Sequence, residues 1–332
     1  MMTYSVAIRT LGTSGELLRN ELLSIFRQTV QPERVLIYIA RGYSRPSFTV
    51  SSEQYITVPK GMMTQRLLPY REVSSDCLLL LDDDVSLKPD SVERLLAAME
   101  ENHADCVAAD TFQNHLMSTR EKWQAALTNW VLPHTRQQWA FQIHRHGSFS
   151  YQNQVQKPFY WSQSAAGPAA LWKANVFRAL HWEDEVWLDQ LGFSFGDDAV
   201  EFYKLHRNGY RLGVLFNSGV THEDGQSSSG AFRYTDRWMY VRTMASFLIW
   251  WRTCFRPGDT SRLEQTWTAT CYGCKAAWLL VAAVVTAIVW RRGTLAIQYM
   301  RGLYDGWNYV HSAKYIELHN FVFNYSKNLP HL

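Results

Sequence analysis

The run Leu78-Leu79-Leu80-Leu81-Asp82-Asp83-Asp84-Val85 constrains this chain more than any other feature. Four apolar residues read as a buried strand, and the strand ends abruptly in three adjacent carboxylates. Like charges within about 4–6 Å raise one another's pKa and cost stability unless a cation lies among them. Carboxylate oxygens suit a hard divalent ion that keeps positions open for phosphate, so the run implies a site for a metal-bound diphosphate. A solvated turn ahead of the next helix is the other reading of these acids. Pro89, Asp90 and Glu93 already form that helix's start signal, with Asp90 as the expected cap.

Around this run, strand and helix patterns alternate. Ser5 to Ile8 reads as a short strand, Leu17, Leu18, Leu22, Ile25 and Phe26 share a helical face, and Val35 to Ile39 is the next strand. Tyr55 to Val58, a helix through Leu95, Leu96 and Met99, and Cys106 to Ala109 continue the order. Such alternation predicts an α/β fold: a mostly parallel, Rossmann-like sheet between helices, with ligands at the carboxyl ends of the strands. The polar, aromatic stretch from Thr111 to Gln163 has no clear period and is expected to be an insertion or lid. At 332 residues, 47% apolar and 19% charged, the chain can bury a full core with a subdomain left over, and disorder is excluded. The five cysteines are scattered and no apolar leader precedes the first strand, so free thiols and a cytoplasmic location are expected. Cys271-x-x-Cys274 has no second ligand pair and is weak evidence for zinc.

Charge divides the chain into two parts. Residues 1–232 carry 21 basic and 25 acidic side chains, whereas residues 233–332 carry 12 and 5 together with seven of the 14 tryptophans. The expected organisation is therefore a catalytic domain over 1–232 and a basic, Trp-rich helical subdomain over 233–332. Trp beside Arg, as in Phe247-Leu248-Ile249-Trp250-Trp251-Arg252, suits an anionic membrane surface better than RNA, and no nucleic-acid motif accompanies it. An ordinary helical subdomain with its aromatics packed inside is the alternative. Ala276 to Trp290 is free of charge for 15 residues, short of the roughly 20 that a spanning helix needs. It reads as a buried or interfacial helix, with a span starting near Tyr272 disfavoured by Lys275.

A second acidic cluster, Gly196-Asp197-Asp198-Ala199-Val200-Glu201, opens a helix expected to stop at Gly209. Capping explains one carboxylate in a first turn but not two. A helix terminus also holds a general base well. His222, in Val220-Thr221-His222-Glu223-Asp224, ends a predicted strand in the same half and is a candidate metal ligand.

Taken in order, these parts resemble the inverting glycosyltransferases of family 2, which have the GT-A fold. Ser24-Ile25-Phe26-Arg27-Gln28-Thr29 is similar to that family's S-I-x-x-Q-T, Asp82-Asp83-Asp84 to its D-x-D, and Gly196-Asp197-Asp198 to its G-E-D. Leu205-His206-Arg207-Asn208-Gly209-Tyr210-Arg211-Leu212 resembles the R-L-x-x-x-G-Y-R-I run, and the likeness extends over residues 3 to 225. The triple Asp and the D-D-A-x-E form are also similar to the galactofuranosyltransferases within the family. The resemblance implies a nucleotide-sugar donor, a UDP-sugar first, and Mn2+ or Mg2+ held by Asp82, Asp84 and His222. It implies Asp198 as general base, with Asp197 orienting it or binding acceptor hydroxyls. Thr10, Arg66 and Asp83 would line the donor side with Asp82, while Tyr160, Trp161 and Gly167, in the segment Phe159 to Pro168, would face the acceptor. The family's acidic turn after the second strand is replaced by Ile39-Ala40-Arg41-Gly42-Tyr43-Ser44, and Arg9 is the expected compensating contact to base or phosphate. The implied activity is transfer of a sugar to a glycan or lipid-linked glycan, in cell-surface polysaccharide synthesis at the inner face of the cell membrane. An inactive glycan-binding relative would be expected to lack a metal ligand or the base, and this chain keeps them. A nucleotidyltransferase would need a Gly-rich phosphate loop, for which Gly12-Thr13-Ser14-Gly15 is too sparse.

Overall fold

The computed structural model describes residues 2–111, 118–129, 138–191, 196–223, 235–289, 291 and 293–323. Strands β1 (Tyr4–Thr10), β2 (Val35–Ala40), β3 (Gln54–Val58) and β4 (Cys77–Asp82) pair in parallel, in the order β3-β2-β1-β4. Beyond β4 the order continues β10 (Ala169–Lys173), β6 (Cys106–Ala109), β11 (Leu212–Leu215), β9 (Phe159–Trp161), with β10 and β9 antiparallel to their neighbours. Six of the eight strands therefore run one way, giving the α/β, mostly parallel architecture expected.

The leucine run explains why this sheet is central. Side chains alternate across a strand, so Leu79 and Leu81 enter the layer formed with helices α1 (Glu16–Phe26) and α3 (Ser91–Glu101), while Leu78 and Leu80 enter the opposite layer. All four are at most 1% exposed, which is why the segment lacks the polar alternation of a half-solvated strand.

Three local expectations are corrected. Asp90 makes no side-chain cap and pairs instead with Arg94, whose Nε donates to it at 2.9 Å. The free amide of Val92 is met from another element by Gln28 Oε1 at 3.0 Å, while Gln28 Nε2 donates to the Lys88 carbonyl at 2.7 Å. The stretch expected to be irregular contains helix α4 (Thr119–Asn129), a hairpin of β7 (Phe141–Ile143) and β8 (Phe149–Tyr151), and β9 of the main sheet. Bonds from Ala140 N to Trp161 O at 2.8 Å and from Phe141 N to Ser162 Oγ at 2.9 Å tie the hairpin to β9. These contacts are distant in sequence and leave no periodic signal. Residues 276–289 of the apolar run are the distal part of the 28-residue helix Arg262–Val289, which by length and composition is long enough to cross a membrane, contrary to the expectation from the run alone.

The carboxyl-terminal helices are α7 (Asp236–Trp250, continued as a wider turn through Phe255), α8 (Arg262–Val289) and α9 (Thr294–Val310). They share a core with the sheet: Phe247, Leu248, Trp250, Trp251 and Tyr272 belong to the same buried cluster as Leu78, Leu80 and Trp172. Trp250 stacks on Tyr272 at 3.9 Å between ring centroids, and its indole N–H donates to the Arg145 carbonyl of the β7–β8 hairpin at 3.0 Å. Trp250 and Trp251 are thus packed inside, whereas Trp267, Trp278 and Trp307 are exposed.

Candidate active site

The acids of β4 are placed by a tight connection. After Asp82 the chain turns through Asp83 and Asp84 into the short strand β5 (Val85–Leu87), which pairs antiparallel with β12 (Val220–His222) so that His222 faces Val85. Register therefore brings His222 Nε2 within 3.1 Å of Asp84 Oδ1, and the Glu223 amide bonds to the Asp84 carbonyl at 2.9 Å. Asp83 accepts from Thr10 Oγ1 and from Ser14 Oγ, the latter at 2.6 Å. Burial pushes the Asp83 carboxyl up; the two hydroxyls oppose that and the charges of Asp82 and Asp84 add to it.

Asp82 points elsewhere. One oxygen pairs with Arg9 and the other lies 3.7 Å from Arg66 Nη2. Among the described residues no three His, Cys, Asp or Glu side chains gather in a way that could hold a metal ion. Of the expected ligands, the structure joins Asp84 with His222 and turns Asp82 to the arginines. Arg9, expected at the base or phosphate, is 8% exposed and bound to Asp82, and it also donates to the Gly167 carbonyl at 3.4 Å.

Arg66 is the hub of the second acidic cluster. Helix α6 (Asp197–Arg207) starts at Gly196, whose φ of 81° is a left-handed conformation that glycine adopts without strain. Arg66 Nη1 meets Asp198, Asp197 at 3.0 Å and the buried Glu201 at 3.3 Å. Burial acts to neutralise this guanidinium, but Asp197, Asp198, Glu201 and Asp82 hold it charged. Burial in turn lifts Asp198 to about 6, helped by Asp197 and opposed by Arg66, and lifts Glu201 to about 7. Gly167 lies in the same crowd. A Cβ there would overlap Asp198 Oδ1 and both terminal nitrogens of Arg66, so only glycine allows the approach.

Two other acceptor candidates lie apart from this cluster. Tyr160 is 4% exposed, packs edge-on against Phe216 at 5.4 Å, and belongs to the core. Trp161, on the other side of the strand, lies under Arg211 at 4.3 Å. Their strand is four places from β4 in the sheet, roughly 19 Å at the usual strand spacing.

Several site residues were not legible beforehand. Ser14 holds Asp83, and Gln65 Nε2 holds the carbonyls of Thr10 and Tyr38 at 3.2 Å each. Asp189 caps the short helix α2 (Met62–Arg66) by accepting from the amides of Met63 at 2.9 Å and Thr64 at 2.8 Å, which orients Arg66. Its partners lie more than 120 residues away, so no local pattern marks it. Glu21 is fully buried on α1, and burial, followed by the charges of Asp83, Asp82 and Asp84, pushes its carboxyl well up.

No curated protein matches this sequence. Among solved structures, that of GalNAc-T7 with UDP, GalNAc and Mn2+ is 12% identical, with a TM-score of 0.48 over 86% of this chain and 58% of that one. The mannosyltransferase PcManGT of Pyrobaculum calidifontis, in complex with GDP-Man and Mn2+, is 11% identical, with a TM-score of 0.46 over 92% of this chain and 87% of that one. TarS 1–349 of S. aureus is 11% identical, with a TM-score of 0.45 and 92% of each chain covered. Residues 54–158, which include the three acids of β4, match the model described as glycosyl transferase family 2. The match covers less than half of the chain: residues 54–158 are similar to glycosyl transferase family 2, and the chain they belong to is built on a mostly parallel α/β sheet.

Proposed function

We propose that this protein is an inverting glycosyltransferase that moves a sugar from a nucleotide-sugar donor, a UDP-sugar first, to a hydroxyl of a glycan or lipid-linked glycan. The observation that carries this reading is the meeting of two acidic clusters, from the end of β4 and the start of α6, around one buried arginine. Asp198, with its pKa near 6, is ionised at neutral pH and matched to accepting a proton. The acceptor hydroxyl gives its proton to Asp198 while its oxygen attacks the anomeric carbon. The bond from that carbon to the diphosphate oxygen breaks, its electron pair leaves with the diphosphate, and one displacement inverts the centre. Arg66 and Glu201 fix where Asp198 stands. Arg9 and Arg66 each keep a buried Nε–H with no acceptor among the described residues, donors suited to an anionic ligand.

A carboxylate beside an imidazole fits Mn2+ or Mg2+, so Asp84 and His222 would hold the ion, while Asp82 stays with Arg9 and Arg66. When bound, it would neutralise charge developing on the departing diphosphate. The test is a screen of nucleotide-sugars by nucleoside diphosphate release, with and without Mn2+. Release that requires both acceptor and Asp198 supports the reading. Glycan binding without turnover of any donor would instead mark an inactive glycan-binding protein, and pyrophosphate release a nucleotidyltransferase.

A further inference from the structure

Helices α8 and α9 form a hairpin whose outer face is apolar along α8 and, on α9, apolar apart from exposed Arg301 and Asn308. Between Glu264 and Arg291 the only charged residue is Lys275, and it points inward: it is 7% exposed and its Nζ donates to the His146 carbonyl at 3.0 Å. Thr268, Tyr272, Ala283 and Ala287 complete the buried stripe. The outer surface of residues 265–289 therefore carries no charge, over about 37 Å at the α-helical rise.

Along that surface Trp278, Val281, Val285 and Ile288 recur at helical spacing, 41%, 57%, 53% and 72% exposed, with Val284 and Val289 beside them. Helix α9 repeats the pattern with Ile297, Met300, Tyr304 and Trp307, all at least half exposed. Trp123 and Leu127 of α4 are exposed as well, and the Trp278 indole donates to the Leu127 carbonyl at 3.0 Å. The 28-residue α8 has an 18-residue window of mean hydropathy 1.8, yet only 22% of that window is buried. Water-facing protein surfaces seldom expose so much contiguous apolar area without a partner.

Charge identifies the partner. Residues 233–332 carry 12 basic and 5 acidic side chains, and exposed Arg291 sits at the hairpin tip. Two copies meeting through this part would repel one another, whereas an anionic lipid surface attracts it. Aliphatic side chains flanked by Trp, Tyr and Arg are the composition of a helix lying at headgroup depth. The inner stripe, Lys275 and the bond from Tyr299 Oη to the Ala276 carbonyl at 3.1 Å keep one side of α8 against the protein, so that only its outer face is offered to a lipid surface. We infer that the outer face of the α8–α9 hairpin docks in the interfacial layer of an anionic bilayer. This holds independently of the sugar-transfer reading.

The test is co-sedimentation of the purified full chain with vesicles of phosphatidylcholine alone or mixed with phosphatidylserine, at low and high salt. Binding at least about tenfold tighter to the mixed vesicles, weakening as salt rises, is expected. Val285→Glu with Ile288→Glu should remove it without changing the far-UV circular dichroism, and Arg291→Glu should reduce the anionic preference. Equal binding to both vesicles, no binding to either, or salt-resistant binding that survives the double substitution would overturn the inference. So would a concentration-dependent dimer, seen by light scattering, that the double substitution abolishes without any effect on lipid binding.

Discussion

At the scale of single residues, the site is organised by Arg66, one buried cation facing four carboxylates. Asp198→Asn keeps the side chain's size but not its ability to take a proton. Transfer should fall by about 10²–10⁴-fold with donor affinity unchanged, measured by kinetics and by titration of the donor. Because burial raises the Asp198 pKa to about 6, the base is protonated below that value. The acid limb of kcat/KM should therefore fall about tenfold per pH unit below roughly pH 6 and be flat above it, and the Asn variant should lack the limb. Gly167→Ala places a methyl among Asp198 and Arg66, so activity should drop by about 10²-fold with little change in Tm. Asp84→Ala should remove Mn2+ binding by calorimetry and leave the fold intact; unchanged affinity would exclude Asp84 as a ligand.

At the scale of elements, α6 is held at its far end by a buried triad. Lys204 Nζ lies 2.8 Å and Arg252 Nη2 2.7 Å from Glu185 Oε1, and all three side chains are nearly inaccessible. Burial would raise the Glu185 pKa, but Arg252 and Lys204 outweigh it and bring the group down to about 2. A folded-state pKa below the unfolded one means stability that is complete above about pH 4.5 and lost as pH falls toward 2. Glu185→Gln leaves two buried cations uncompensated, so denaturant titration at pH 7 should show a loss of about 3–5 kcal/mol. The difference from the parent should narrow as pH falls from about 4.5 toward 2. The triad joins α6, which bears Asp197 and Asp198, to the α7 extension, which bears Arg252.

At the scale of the whole molecule, the carboxyl-terminal helices and the sheet should unfold together, because they share one buried core. Trp251, 5% exposed, packs among Phe247, Trp250 and Phe255 within the cluster that also contains Leu78 and Trp172. Trp251→Ala should cost about 3–5 kcal/mol and lower the midpoint seen by tryptophan fluorescence and by far-UV circular dichroism equally. Two separate transitions would show instead that residues 233–332 fold on their own.

Patterns local in the chain were legible in the sequence. The leucine run, the Leu17 to Phe26 face and the acids at the ends of β4 and the start of α6 each declare themselves within a dozen residues, because strand and helix periods and the energetics of crowded like charges are local properties. That Gln28, just past the end of α1, would meet the Val92 amide and that Asp82 would face Arg9 depend on partners 60 or more residues away, and Asp90 gives up capping for Arg94 one turn on. Lys275 likewise finds its partner far away, and β9 pairs with β11 more than 50 residues on. As a letter in the sequence Lys275 interrupts an apolar run, and only its inward hydrogen bond to the His146 carbonyl leaves the outer face uncharged. Fold class and the chemistry of the site's residues thus follow from the sequence alone, since they rest on residue type and short-range spacing. Which carboxylate meets which cation was decided by the tertiary structure, because side-chain partners are set by strand register and helix packing across the whole chain.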